Sequence, residues 1–169
     1  MSVSEPSDFL RDEMWSERIF NGDWIRPLGG SNSVREPATG KVLTVTGLAD
    51  AADIAFASLN AARVQPAWAA LGSRERAQIF RKAATLAEQH FAELALYIAR
   101  ESGSSLFKGE HEVREAMVLL HQAAGMLSQA HGLVLPSEAG RLSYARRLPH
   151  GVVGVISPFN FPLVLSIRS

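Results

Sequence analysis

Pro158-Phe159-Asn160-Phe161-Pro162 is the stretch of this chain whose residue types and spacing point to chemistry. It follows Val152-Val153-Gly154-Val155-Ile156, in which four of the five residues are β-branched and none is charged. Such a run reads as a strand covered on both faces, as in a parallel sheet. Pro158 and Pro162 bias Ser157 and Phe161 toward extended conformations, which sets Asn160 on a stiffened bend at the carboxyl end of that strand. Ligands of open α/β sheets bind at that end. A carboxamide held there donates to developing negative charge without titrating. Asn160 also has a second reading as a helix N-cap, because Leu163 to Ile167 can start a helix and Pro162 suits its first position. The two readings are compatible.

The other chemistry-bearing residues form no set. Gly151-Val152-Val153-Gly154 lacks the wider glycine spacing of a dinucleotide fingerprint and has no Lys-Ser/Thr, so its glycines read as strand residues that allow close packing. The five histidines, His90, His111, His121, His131 and His150, are scattered, and no carboxylate completes a metal set. The chain contains no cysteine, which excludes disulfides, thiolate metal sites and a cysteine nucleophile within these 169 residues. Lys+Arg and Asp+Glu balance at 17 each and no basic cluster appears, so nothing points to nucleic acid. The N-terminus, with Glu5, Asp8, Asp12 and Glu13, is unlike a secretory signal, and no apolar run is long enough for a bilayer. The expected compartment is the cytoplasm.

Around the bend, the pattern divides the chain into four parts. Residues 1–18 read as a polar arm or short helix. Residues 19–140 begin with a hairpin at Ile19-Phe20 and Trp24-Ile25 about Asn21-Gly22. A loop covers Pro27 to Asn32, and Pro37 to Gly40 turns the chain into Val42–Val45. Helices are then predicted over 50–65, 73–89, 91–101 and 109–130. Pro66 and Gly72 punctuate them, Ser73 is the expected N-cap of the second, and Gly103 and Gly132 are the expected stops of the third and fourth. Val113, Met117, Leu120, Ala124 and Leu127 form the stripe of the longest. Residues 141–150 hold a half-solvated strand, Leu142 to Leu148, that alternates apolar and polar. Residues 151–169 hold the buried strand and the start of a helix. A buried parallel strand needs parallel neighbours and helices on both faces, and only one such strand is present. The fold class expected is therefore α/β: hairpin, helices, edge strand and the start of a parallel Rossmann-like sheet, as the N-terminal portion of a longer protein.

Gly151 to Pro162 resembles the segment that opens the nucleotide-binding sheet in the aldehyde dehydrogenase superfamily. Phe20-Asn21-Gly22-Asp23-Trp24 is similar to that family's early hairpin, and Pro37-Ala38-Thr39-Gly40 to its Pro-x-Thr-Gly turn. Trp68 with Ser73-Arg74-Glu75-Arg76-Ala77, and Glu101-Ser102-Gly103, resemble two further family segments. The resemblance runs from about residue 19 to 169 and is nearest to the benzaldehyde and vanillin dehydrogenase type.

That resemblance implies a mechanism in which a cysteine thiolate attacks a small-molecule aldehyde, hydride passes to NAD or NADP, and a glutamate-activated water releases the acid. It makes Asn160 the oxyanion donor. It puts Ile156, Ser157, Pro158 and Phe159 along the cofactor, and Phe161, Val164 and Leu165 near the substrate tunnel. Residues 141–148 match a strand that joins subunits, which implies a homo-oligomer, dimer or tetramer. The nucleophile, the base and the rest of the cofactor site match nothing in this chain. It is therefore expected to be inactive alone, with an assembly module that never turns over as the alternative.

Overall fold

The computed structural model describes residues 12–169, so the expectations for residues 1–11 lie outside the described residues. A short helix, α1 (Asp12–Trp15), leads into the predicted hairpin, β1 (Ile19–Phe20) and β2 (Trp24–Ile25). Asn21-Gly22 makes its turn, with Gly22 at φ 117°. A second hairpin pairs β3 (Ser31–Arg35) with β4 (Val42–Gly47) about the Pro37 to Gly40 turn. Ser31 and Asn32, expected in a loop, are paired with Gly47 and Thr46.

Four helices follow, α2 (Ala51–Ala70), α3 (Ser73–Gln89), α4 (Phe91–Ser102) and α5 (Leu106–Met126). α2 starts at a capping box. Asp50 Oδ1 accepts from Ala52 N (2.8 Å) and Asp53 N (2.9 Å), and Asp53 Oδ2 accepts in return from Asp50 N (3.0 Å). The same Asp53 oxygen accepts from Leu28 N at 2.8 Å and Gly29 N at 3.4 Å, tying the loop before β3 to the helix. α2 runs on through Pro66, where punctuation was expected. The good helix formers beyond it continue the pattern, and the Trp68 ring meets Phe80 of α3 edge-on at 6.4 Å, which anchors that last turn. Gly72, not Ser73, is the N-cap of α3, and Glu75 closes it by accepting from Gly72 N at 3.0 Å. Gly103 ends α4 in the left-handed conformation, as expected.

α5 begins three residues earlier than predicted, on an N-cap from Ser105 Oγ to Lys108 N at 3.3 Å, and ends before Leu127. It packs against both α3 and α4. Ala95 and Ile98 of α4 and Val113 of α5 make the fully buried centre of that layer, with Leu94, Phe91 and Met117 around it. Gly109 permits this closeness: a Cβ there would lie 2.3 Å from the carbonyl oxygen of Ala95.

Beyond α5, the chain forms β5 (Gly132–Leu135) and β6 (Ser143–Arg146), an antiparallel pair. β6 is the core of the predicted strand. β5 was not expected, because Gly132 had been assigned to the helix end. Its missing side chain serves the hairpin instead, since a Cβ would meet Ala145 O at 2.2 Å. The last element is α6 (Pro162–Arg168), with Pro162 at its start and Leu163 packed on the α4–α5 core.

Among the described residues the sheets are three antiparallel pairs, β1-β2, β3-β4 and β5-β6. The expected buried strand at 152–156 is not formed: these residues belong to no strand and are exposed, Ile156 at 99%. A strand's backbone groups are satisfied only by a neighbour, and among the described residues no strand lies beside this run. The apolar pattern leads to the expectation of a covered strand, and among the described residues nothing covers it.

Two measurements check this architecture. Asp53 is held below the ordinary carboxylate value of 3.8 by the amide of Asp50 first, against desolvation, and then by those of Leu28 and Gly29. A depressed carboxylate stabilises the fold fully above the unfolded-state value, and that contribution fades as pH falls toward the folded-state one. Asp53→Ala is expected to lower the melting temperature at neutral pH and to flatten its decline below roughly pH 4, as seen by circular dichroism. Ile156→Lys is expected to leave the stability of the 169-residue chain within about 0.5 kcal/mol, as at any exposed position, whereas a covered strand would lose several times that.

Candidate functional site

The bend is positioned by its C-terminal side. Phe161 is the N-cap of α6 at φ −143° and ψ 62°, with no side-chain capping hydrogen bond. Asn160 is therefore not the cap, and it is exposed in the turn just before. The cap reading fails because the helix begins one residue later than a cap at Asn160 requires.

The orphan amides of that helix start are served from another element. Glu112 of α5 is fully buried. Its Oε1 accepts from Leu163 N at 2.7 Å and from Val164 N at 3.2 Å. Its Oε2 is gripped by Lys108 Nζ one helical turn earlier, at 2.5 Å. The same ammonium stands 4.6 Å from the centre of the Phe161 ring. Residues 161, 163 and 164 are thus all tied to one face of α5, and Asn160 is the next residue out. On the other flank, Ser157 Oγ meets Ser166 Oγ at 2.5 Å, and Ser166 also bonds back to the Pro162 carbonyl at 2.5 Å. The approach to the bend and the helix after it are joined by that hydroxyl pair.

The remaining residues singled out from the sequence fall into two groups. Ile156, Ser157, Pro158 and Phe159 are exposed and form an open edge, Phe159 at 83%. Phe159 also borders a groove of about 720 Å³ between α4 and α6, floored by Leu94, Ile98 and Leu163 and rimmed by Glu101. Phe161 and Leu165 are half-buried, while Val164 is buried at 5% in the seam with α5. Asn160 is therefore a neutral amide with an exposed edge on one side and apolar side chains on the other.

Two residues of this arrangement escaped the sequence reading, Lys108 and Glu112. The signal was present: Gly109, Glu112, Ala116, Leu120 and Ala124 are all buried and follow helical spacing. A carboxylate inside an apolar stripe must be paired and hydrogen-bonded, and its partners are what the pattern cannot name.

The sequence and the fold have counterparts among known proteins. The aldehyde dehydrogenase family model matches residues 24–169. The chain belongs to the aldehyde dehydrogenase family. It is 51% identical over 161 residues to a vanillin dehydrogenase of Amycolatopsis sp., a match covering 95% of this chain and 33% of that protein. It is 41% identical over 157 residues to a benzaldehyde dehydrogenase [NAD(+)] of Pseudomonas putida, covering 92% of this chain and 32% of that protein. The fold matches the crystal structure of an NAD-dependent benzaldehyde dehydrogenase from Corynebacterium glutamicum with a TM-score of 0.84 and 34% identity, over 90% of this chain and 34% of that one. The chain thus spans about a third of the length of the aldehyde dehydrogenases that it matches. Among the described residues no helix is long and apolar enough to cross a membrane.

Proposed function

We propose that this chain supplies the oxyanion-binding third of an NAD(P)+-dependent aldehyde dehydrogenase acting on an aromatic aldehyde. The observation that carries the reading is the presentation of Asn160: exposed, free of any capping duty, and one residue from a helix start anchored at Leu163 and Val164. The similarity to vanillin and benzaldehyde dehydrogenases supports the substrate class.

When a nucleophile adds to the aldehyde carbon, charge builds on the carbonyl oxygen. The Asn160 Nδ2–H group donates to that oxygen. A donor aimed in advance costs no reorganisation as the charge appears, and it is worth about 3 kcal/mol of barrier. Being neutral, it works at any pH at which the nucleophile is active. Phe161 and Leu165 form part of the apolar wall that the aromatic ring meets, and Val164 backs that wall from the helix seam. The nicotinamide cofactor supplies the hydride acceptor. The residues present fit one edge of it: Ile156 to Phe159 are exposed, and Gly151 to Gly154 lack the glycine spacing of a phosphate-holding turn. They lie along the cofactor, and the cradle lies outside this chain.

The nucleophile also lies outside it, since the chain has no cysteine. The 169 residues alone produce no NADH from benzaldehyde. The whole protein is a cytoplasmic homo-oligomer in which residues 141–148 meet a partner, and β6 has the open edge this requires, being paired on one side by β5.

In the full-length enzyme, Asn160→Ala is expected to lower kcat about 10²–10³-fold. Asn160→Asp, which replaces a donor by an anion, is expected to do at least as much harm. Both variants are expected to keep the wild-type circular dichroism spectrum, because Asn160 does not cap α6. Steady-state NADH formation checks this, and a loss smaller than about threefold for Asn160→Ala would remove Asn160 from the mechanism.

A further inference from the structure

We infer that Glu112, held by Lys108, is the positioning residue that sets the Asn160 donor in place; the inference rests on the reading of Asn160 above. A buried carboxylate is costly unless its charge is balanced and its oxygens are bonded. Glu112 is fully buried, and one of its oxygens is spent on the two amides of α6 nearest the bend, the other on the Lys108 ammonium. If the pair served only the stability of α5, its amide bonds would lie within α5. They lie instead 51 and 52 residues away, at the base of the candidate oxyanion donor.

Lys108 joins the same point from a second direction. Its ammonium contacts both the Glu112 carboxylate and the face of Phe161, the residue that follows Asn160. α5 is itself fixed against α4 by the close approach at Gly109. The path from the helical core to the donor thus runs through named contacts: Ala95 to Gly109, one helical turn to Glu112, then to the amides of Leu163 and Val164. None of these groups faces the substrate. Their effect on the reaction passes through the position of Asn160. Catalytic groups displaced by about 1 Å lose up to about 10²-fold in rate, so the expected penalty is in kcat.

Glu112→Gln keeps an oxygen that can accept from Leu163 and Val164 but gives up the charge that Lys108 holds. Glu112→Ala gives up the acceptor as well. In the full-length enzyme, Glu112→Gln is expected to lower kcat about tenfold and Glu112→Ala about 10²-fold, with KM changed less than about twofold in each. Because Glu112 acts through Asn160, the losses are not expected to multiply: Glu112→Gln added to Asn160→Ala is expected to cost less than about a further twofold. If Glu112→Ala does not fold, Glu112→Gln decides the matter. A folded Glu112→Gln enzyme with unchanged kcat overturns the inference, as does a full tenfold loss in the Asn160→Ala background. A Glu112→Gln enzyme that fails to fold also overturns it, by assigning the residue to stability. If Asn160→Ala itself leaves kcat unchanged, the reading of Asn160 falls and this inference falls with it. If Asn160→Ala is slow but Glu112→Gln is not, this inference alone fails.

Discussion

One buried carboxylate joins the last helix, α6, to α5. Glu112 has no access to solvent, so each of its lone pairs must be satisfied by the chain. Two backbone amides from the first turn of α6 and one ammonium from the preceding turn of α5 do this. The exchange is mutual. α6 starts without a side-chain cap of its own, and the first N–H groups of a helix are unsatisfied unless something outside it accepts from them. A negative charge at a helix start is also favoured by the helix dipole. Removing Glu112 would therefore expose two deficits together: orphan amides on α6 and an unpaired ammonium on α5. The seven residues of α6 are too few to be helical on their own, so their conformation depends on this contact and on the burial of Val164.

That dependence gives the candidate site its character. Asn160 stands on an exposed bend, which leaves it accessible, yet the residues just after it are locked to the helical core. Rigidity is inherited from α4 and α5, while the exposed edge at Ile156 to Phe159 remains available for something else to pack on. Ile156 is 99% and Phe159 83% exposed. The chain spans about a third of the length of the aldehyde dehydrogenases that it matches.

Much of this was legible in the sequence, and the exceptions have physical causes. Helix positions were readable where a local signal decided them: Gly103 in the left-handed conformation stops α4, and Asn21-Gly22 turns the first hairpin. The reading slipped where two roles compete for one residue type. Gly132 looks like a helix stop, and its actual use, a close strand approach, depends on Ala145 thirteen residues on. Pro66 looks like a boundary, but Trp68 packing on Phe80 carries α2 past it. Residues 152–156 carry the pattern of a covered strand, and pattern alone cannot supply neighbours. In the site, the bend and its helix were legible from the two prolines, whereas the partners of Glu112 were not. A hydrogen bond across 51 residues has no local signature beyond a charge lying where an apolar residue belongs.

The claim at the centre of this account is that Glu112 holds the start of α6. Amide hydrogen exchange on the 169-residue chain tests it most directly, read at Leu163 and Val164 in the native sequence and in Glu112→Ala, which gives up the acceptor. The native chain is expected to protect both amides as strongly as α5 itself, with the variant losing protection there while Ala95, Ile98 and Val113 stay protected. Leu163 and Val164 amides that exchange as fast as those of the exposed run 152–156 in the native chain would contradict it.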